Sequence, residues 1–229
     1  MNLSDELKKY SSILTESSGP ITRNLPNKGN KMNVPQKVIG LVPGSVAADW
    51  HQHANGGGWV YKTAKVAKTA YVGVGAAVYD KARAFGDARV YGDARVSGNA
   101  RVYGSARIFG FAQVADNAQV YGDARVDGNA WVFGNAQVFG HAQVFGDAWE
   151  QSPLQIQGSR HFVTLCSLEQ IAIGCHVHDF AYWKEHFKAI GRKERYSAEE
   201  VKEYRHHIGT CIAYAKSMKV RAESKVVSR

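Results

Sequence analysis

Five of the chain's histidines and cysteines crowd into one C-terminal stretch: His161, Cys166, Cys175, His176 and His178. Thiolates and imidazoles are the ligands of tetrahedral zinc. Cys175-x-x-His178 has the spacing of a metal knuckle, which Cys166 and His161 would complete. Four protein ligands leave no open position, so such a zinc would be structural. The plainer alternative is a small fold with two buried thiols and solvent-facing histidines. His51 and His53 share a side if their segment is extended, which permits metal binding but fits incidental placement as well. His141 is a candidate general base. A base needs a partner to set its tautomer and a pocket to exclude water, and no inserted loop around His141 supplies that pocket. A surface position is its competing reading.

These residues hang on a repeat. Aligned on alanine, residues 64–147 read as fourteen unbroken hexads, among them ARVYGD, ARVSGN, AQVYGD and AQVFGD, and GWVYKT at 58–63 fits as one more. Positions one and three, Ala and Val, fall on the same side of a short strand. Positions two and four, mostly Arg/Gln and Tyr/Phe, fall on the other. Gly at five and Asp or Asn at six supply a turn. One hexad is one strand plus one corner, with a narrow core of small and β-branched side chains.

This pattern resembles the hexapeptide-repeat superfamily, whose members form left-handed parallel β-helices with three hexads per coil. The resemblance implies five coils of eighteen residues, stacked at about 4.8 Å, and caps at both ends, as solenoids require. Every third hexad then stacks on one face. The first face carries Phe85, Tyr103, Tyr121 and Phe139 beside Lys65, Arg83, Arg101, Gln119 and Gln137. The second carries Tyr91, Phe109 and Phe145 beside Arg89, Arg107, Arg125 and Gln143. The third is irregular, with Tyr61, Tyr79, Phe133, Trp59 and Trp131. Aromatic columns of this area are costly to leave wet. They suit burial in a homo-oligomer or under C-terminal helices, or a surface where rings and guanidinium groups hold planar or anionic ligands. Single-stranded nucleic acid is a third reading, which the Asp/Asn corners and modest charge oppose.

The flanks divide the chain into 1–57, a short helix at 3–14 and a flexible arm; 58–149, the β-helix; 150–218, a cap; and 219–229, a basic tail expected to fray. Runs at 161–165 and 170–173 read as a small hairpin. One helix opens at Asp179 and closes at Gly191, with Trp183, Phe187 and Ile190 on one face. A second starts at the capping box of Ser197 and Glu200 and carries Val201, Tyr204, Ile208, Ile212 and Ala215. GGGWV before the first hexad, SPLQIQG after the last, and HFVTL, IAIGCHVHDF and IGRKERYS beyond it resemble uncharacterised hexapeptide-repeat proteins of bacteriophages and gut bacteria, which carry no assigned reaction.

The formal charge of +9 is spread along the chain: six Lys/Arg against four Asp/Glu in 1–57, ten against seven in 58–149, and thirteen against nine beyond. Such a spread makes acidic partners plausible without pointing to nucleic acid. The start MNLSDELKKY has no signal-peptide pattern, and no run of eighteen apolar residues marks a membrane span. The expected location is therefore the cytoplasm, a host's if the protein is phage-encoded. The odd count of three cysteines argues against a disulfide framework.

The sequence thus predicts a mainly β protein: a left-handed parallel β-helix of about five coils with a hairpin-and-two-helix cap and a partly disordered N-terminal arm. The expected function is a non-catalytic, homo-oligomeric binding scaffold, a trimer by the resemblance, for a host protein or a nucleotide-like ligand. The alternative, carried by the superfamily, is acyl transfer from acyl-CoA to a sugar or amine.

Overall fold

The computed structural model describes residues 33–227, with side chains to residue 220. The described chain forms one unit. Its body is a parallel β-solenoid of about five turns. The first face stacks Lys65–Val66, Arg83–Ala84, Arg101–Val102, Gln119–Val120 and Gln137–Val138. The second stacks Tyr71–Val72, Arg89–Val90, Arg107–Ile108, Arg125–Asp127 and Gln143–Phe145. The third runs from Trp59–Tyr61 to Ala148–Trp149. Register is strict at an eighteen-residue step, so Arg83 pairs with Arg101 and Arg101 with Gln119. The strand N–H groups at positions two and four reach the next coil: Arg83 donates to the Ala100 carbonyl at 2.9 Å and Phe85 to that of Val102 at 3.0 Å. Ala and Val or Ile of the hexads from residue 70 onward are buried.

Glycine holds the corners for two reasons at once. Gly104 sits at φ +69°, a left-handed conformation, and a Cβ there would stand 3.0 Å from the nitrogen of Gly122 in the next coil. Where Asp takes this place it adopts the same conformation, Asp80 at φ 56° and Asp116 at φ 54°. Their carboxylates accept hydrogen bonds from Gly98 and Gly134 one coil on, at 3.0 and 3.1 Å. The next position of the same corner forms an amide ladder, Asn99 to Asn117 at 3.3 Å and Asn117 to Asn135 at 3.4 Å.

The ends depart from the sequence reading. The helix expected at 3–14 lies outside the described residues. Residues 33–57, expected as part of a flexible arm, instead form a cap: α1 (Gln36–Ile39), a 3-10 turn (Ala47–Asp49) and a strand (Trp50–Gln52) antiparallel to Trp59–Tyr61. Val34, Val38 and Trp50 bury Trp59 and Ala77 on the outside of the third face. Burial of these apolar groups outweighs the polar composition around them. Gly58 is needed because a Cβ there would stand 2.2 Å from the Gly73 carbonyl oxygen.

At the other end the hexad register slips by one residue. Ala148 pairs with Trp131 and Trp149 with Val132, so Trp149 turns inward and is 1% exposed. A one-residue slip exchanges the two sides of a strand. Its indole plugs the last coil, and its Nε1–H has no hydrogen-bond partner among the described residues.

The predicted hairpin is the centre of a four-stranded antiparallel sheet, Gln155–Gln157, Phe162–Leu165, Gln170–Ile173 and His176–Asp179. Helices α2 (Phe180–Lys193) and α3 (Ala198–Val227) pack on it. Asp179 caps α2, accepting from the Tyr182 N–H at 2.7 Å. Ser197 and Glu200 exchange bonds at 3.1 and 2.6 Å, a reciprocal capping box. Trp183, Tyr204, Ile208, Cys211, Ile212 and Ala215 are buried, joining the cap to the solenoid core through Val163 and Leu165. The tail expected to fray beyond 218 continues α3 to Val227. Among the described residues no helix is long and apolar enough to cross a membrane.

Candidate functional site

The repeat places two rows of cations and one row of rings side by side. On the first face Lys65, Arg83 and Arg101 stand in register, followed by Gln119 and Gln137. Two residues further along the same strands, Phe85, Tyr103, Tyr121 and Phe139 form a continuous stack with centroids 5.0, 4.9 and 5.5 Å apart and planes within 16° of parallel. Beyond the corner, Arg89, Arg107 and Arg125 form the second row. Their common spacing follows from the distance between neighbouring strands. The edge between the two faces is therefore a ring column flanked by cation ladders.

These arginines and Lys65 are exposed, and among the described residues none is ion-paired. Like charges directly opposite one another in a sheet repel. The tyrosines are tied in: Tyr103 donates to Gln119 Oε1 at 3.5 Å and Tyr121 to Gln137 Oε1 at 3.4 Å. Burial raises the Tyr103 phenol above its usual range. The interior rings have their faces covered by one another and offer only edges, so planar groups do not slip between them. Among the described residues the C-terminal helices do not cover the column, because they pack on the cap sheet instead. The cap reaches the column only at its top, where Phe162 meets Phe139 edge-on at 6.3 Å and Gln155 accepts from the Phe139 N–H.

Asp127 was legible as an exception and was overlooked. It takes the place of a ring in the second-face column, in register with Phe145 and two residues after Arg125. Burial pushes its carboxyl up to about 6, against the pull of Arg125. Tyr91 and Phe109 stack at 5.0 Å lower in the same column, and burial raises the Tyr91 phenol.

The sheet separates the proposed metal ligands. Cys166 lies beyond Leu165, next to the Gln170 end of the neighbouring strand, while Cys175 lies in the turn after Ile173, at the opposite end. Cys166 is buried and its thiol is pushed well above the ordinary range; Cys175 is exposed. His178 is stacked on Tyr182 at 4.0 Å, and burial lowers its pKa. His161 faces the Tyr196 ring at 6.1 Å. Among the described residues no three His, Cys, Asp or Glu side chains are grouped for a metal. At the other end, His53 is buried against the Asn55 turn while His51 is exposed.

His141 sits on an open corner, its Nδ1 3.8 Å from Asp123 Oδ2, with side chains 73% and 61% exposed. An acid–imidazole pair is present, but among the described residues only the edge-on Phe162 ring stands beside it and both side chains stay mostly open to water. The cap has a small cavity of about 110 Å³ between its sheet and helices, with Ile173, Trp183, Phe187 and Ile208 inside and the His176–Glu194 pair, 3.3 Å apart, at its rim.

Residues 94–110 and 118–134 match the family model described as YdcK Beta solenoid repeat. No curated protein and no solved structure matches the chain. Both matched stretches fall on the stacked coils whose outward residues form the ladders, and with the strand order above they give the conclusion: the chain is a β-solenoid repeat protein.

Proposed function

We propose that the protein is a non-catalytic binding scaffold whose first–second edge holds an anionic partner. The observation that carries this reading is the pair of in-register cation ladders, none of whose members is ion-paired among the described residues. Guanidinium groups held in a row repel one another, and an anion laid along them relieves that repulsion while gaining charge-assisted hydrogen bonds. The uninterrupted six-residue corners support kinship with hexapeptide-repeat proteins. The phage and gut-bacterial resemblance supports a role inside a host cell, with a host protein or a nucleotide-like molecule as the target. A homo-oligomer, trimeric by the same resemblance, is part of this proposal and is tested by sedimentation.

Inorganic tripolyphosphate is a suitable probe, titrated calorimetrically into the purified full chain. Binding should weaken as salt rises and fall at least tenfold in the triple variant Arg89→Gln, Arg107→Gln, Arg125→Gln. Equal binding by the wild type and that variant would refute the proposal. Native mass spectrometry of the same preparation reads the oligomeric state, any metal and any ligand carried through purification.

A further inference from the structure

The first-face column has four rings on five rungs. In the lowest coil position four is Ala67, whose N–H donates to the Ala84 carbonyl at 2.8 Å and which therefore lies one step below Phe85. Phe85 is stacked on Tyr103 with planes 2° apart, and Tyr103 is its only ring neighbour among the described residues. It is 40% exposed, while the three rings above it are half-buried. Among the described residues one ring-sized step is missing, with the uncovered face of Phe85 as its roof and the Ala67 methyl as its back wall.

The other column ends differ. On the second face the residue below Tyr91 is Gly73, and a Tyr71 ring carbon lies 3.3 Å from where a Cβ would stand, so that step is already filled. At the top of the first-face column Phe162 closes onto Phe139. Around the open step stand Lys65, in register with Arg83, and Lys68, one residue after Ala67. All three are exposed, and none is ion-paired among the described residues. A ring face beside three cations is complementary to a flat aromatic group carrying a multiply charged anion.

We propose that the notch formed by Ala67, Phe85, Lys65, Lys68 and Arg83 binds one planar aromatic ring bearing a phosphate, a nucleotide-like ligand that takes the missing place in the column. This rests on reading the edge as an anion-binding surface and names the ligand class for its lower end.

Adenosine monophosphate is the probe, titrated into the full chain beside adenosine and inorganic phosphate. The wild type should bind it at least tenfold more tightly than either comparator. Ala67→Phe supplies the missing ring from the protein itself. It should hold or raise the melting temperature, abolish adenosine monophosphate binding and leave tripolyphosphate binding on the arginine ladders intact. Phe85→Ala should lose the nucleotide as well, and Lys65→Gln with Lys68→Gln should weaken it at least tenfold. The notch is overturned if wild type does not bind adenosine monophosphate, if phosphate alone binds as tightly, or if folded Ala67→Phe binds it unchanged. In each of those cases, tripolyphosphate binding that still depends on Arg89, Arg107 and Arg125 leaves the scaffold reading standing.

Discussion

Asp127 makes stability depend on pH, and the sign follows from its surroundings. Its carboxyl stands where a ring stacks in the coils below, and burial raises it from an ordinary 3.8 to about 6. The folded protein therefore holds this proton more tightly than the unfolded chain does. The stabilisation is complete below pH 4 and is lost as pH rises through 6. The difference corresponds to about 3 kcal/mol at most, a ceiling because the side chain keeps partial contact with solvent. Asp127→Asn keeps the shape and removes the titration. Urea unfolding at pH 4.5, 6 and 8 should show the variant near wild type at the lowest pH, and up to ~3 kcal/mol more stable at the highest. Asp127→Phe should show the same trend and add a ring contact to Phe145, its neighbour in register. Parallel pH profiles for wild type and Asp127→Asn would refute the reasoning, since a carboxyl without burial strain has nothing to lose on ionising.

Val102 is fully buried at mid-stack, so Val102→Asp should unfold the protein or remove several kcal/mol; a wild-type melting curve would mean that the inside and outside of the strands are reversed. Tyr103→Ser with Tyr121→Ser should leave the coils folded by circular dichroism and lower the sedimenting mass if the column is buried between subunits. An unchanged mass with lost anion binding would make the column a recognition surface instead. Acetyl-CoA should not raise the melting temperature; a saturable rise, with acyl transfer that His141→Ala abolishes, would replace the scaffold with an enzyme.

The coils were legible because each hexad repeats one decision: small and β-branched in, long or aromatic out, glycine at the left-handed corner. The capping residues Asp179, Ser197 and Glu200 were legible for a similar reason, since their partners lie within three residues. What happens once was harder to read. Val34 and Trp50 cover Trp59 only after the chain has come back across the third face. The outer strands of the cap sheet, Gln155–Gln157 and His176–Asp179, are defined by neighbours already in place. The spacing Cys175-x-x-His178 suggested a knuckle, but the strand that carries His178 turns it onto Tyr182. Ala67 was visible in the alignment, yet its meaning depends on which ring stands above it.

Trp149 also says something about how long such a prism can be. The dropped residue before it ends the array by local means, because the plug needs only the coil directly beneath. Duplicating residues 88–105, which carry Arg89, Tyr91, Arg101 and Tyr103, would add one cation to each ladder and one ring to each of the two columns while leaving both ends unaware of the change. Ligand length and ladder length can therefore be matched by copying DNA in whole coils. A tandem duplication of residues 88–105 would be the simplest chain in which to look for a higher charge on the bound anion.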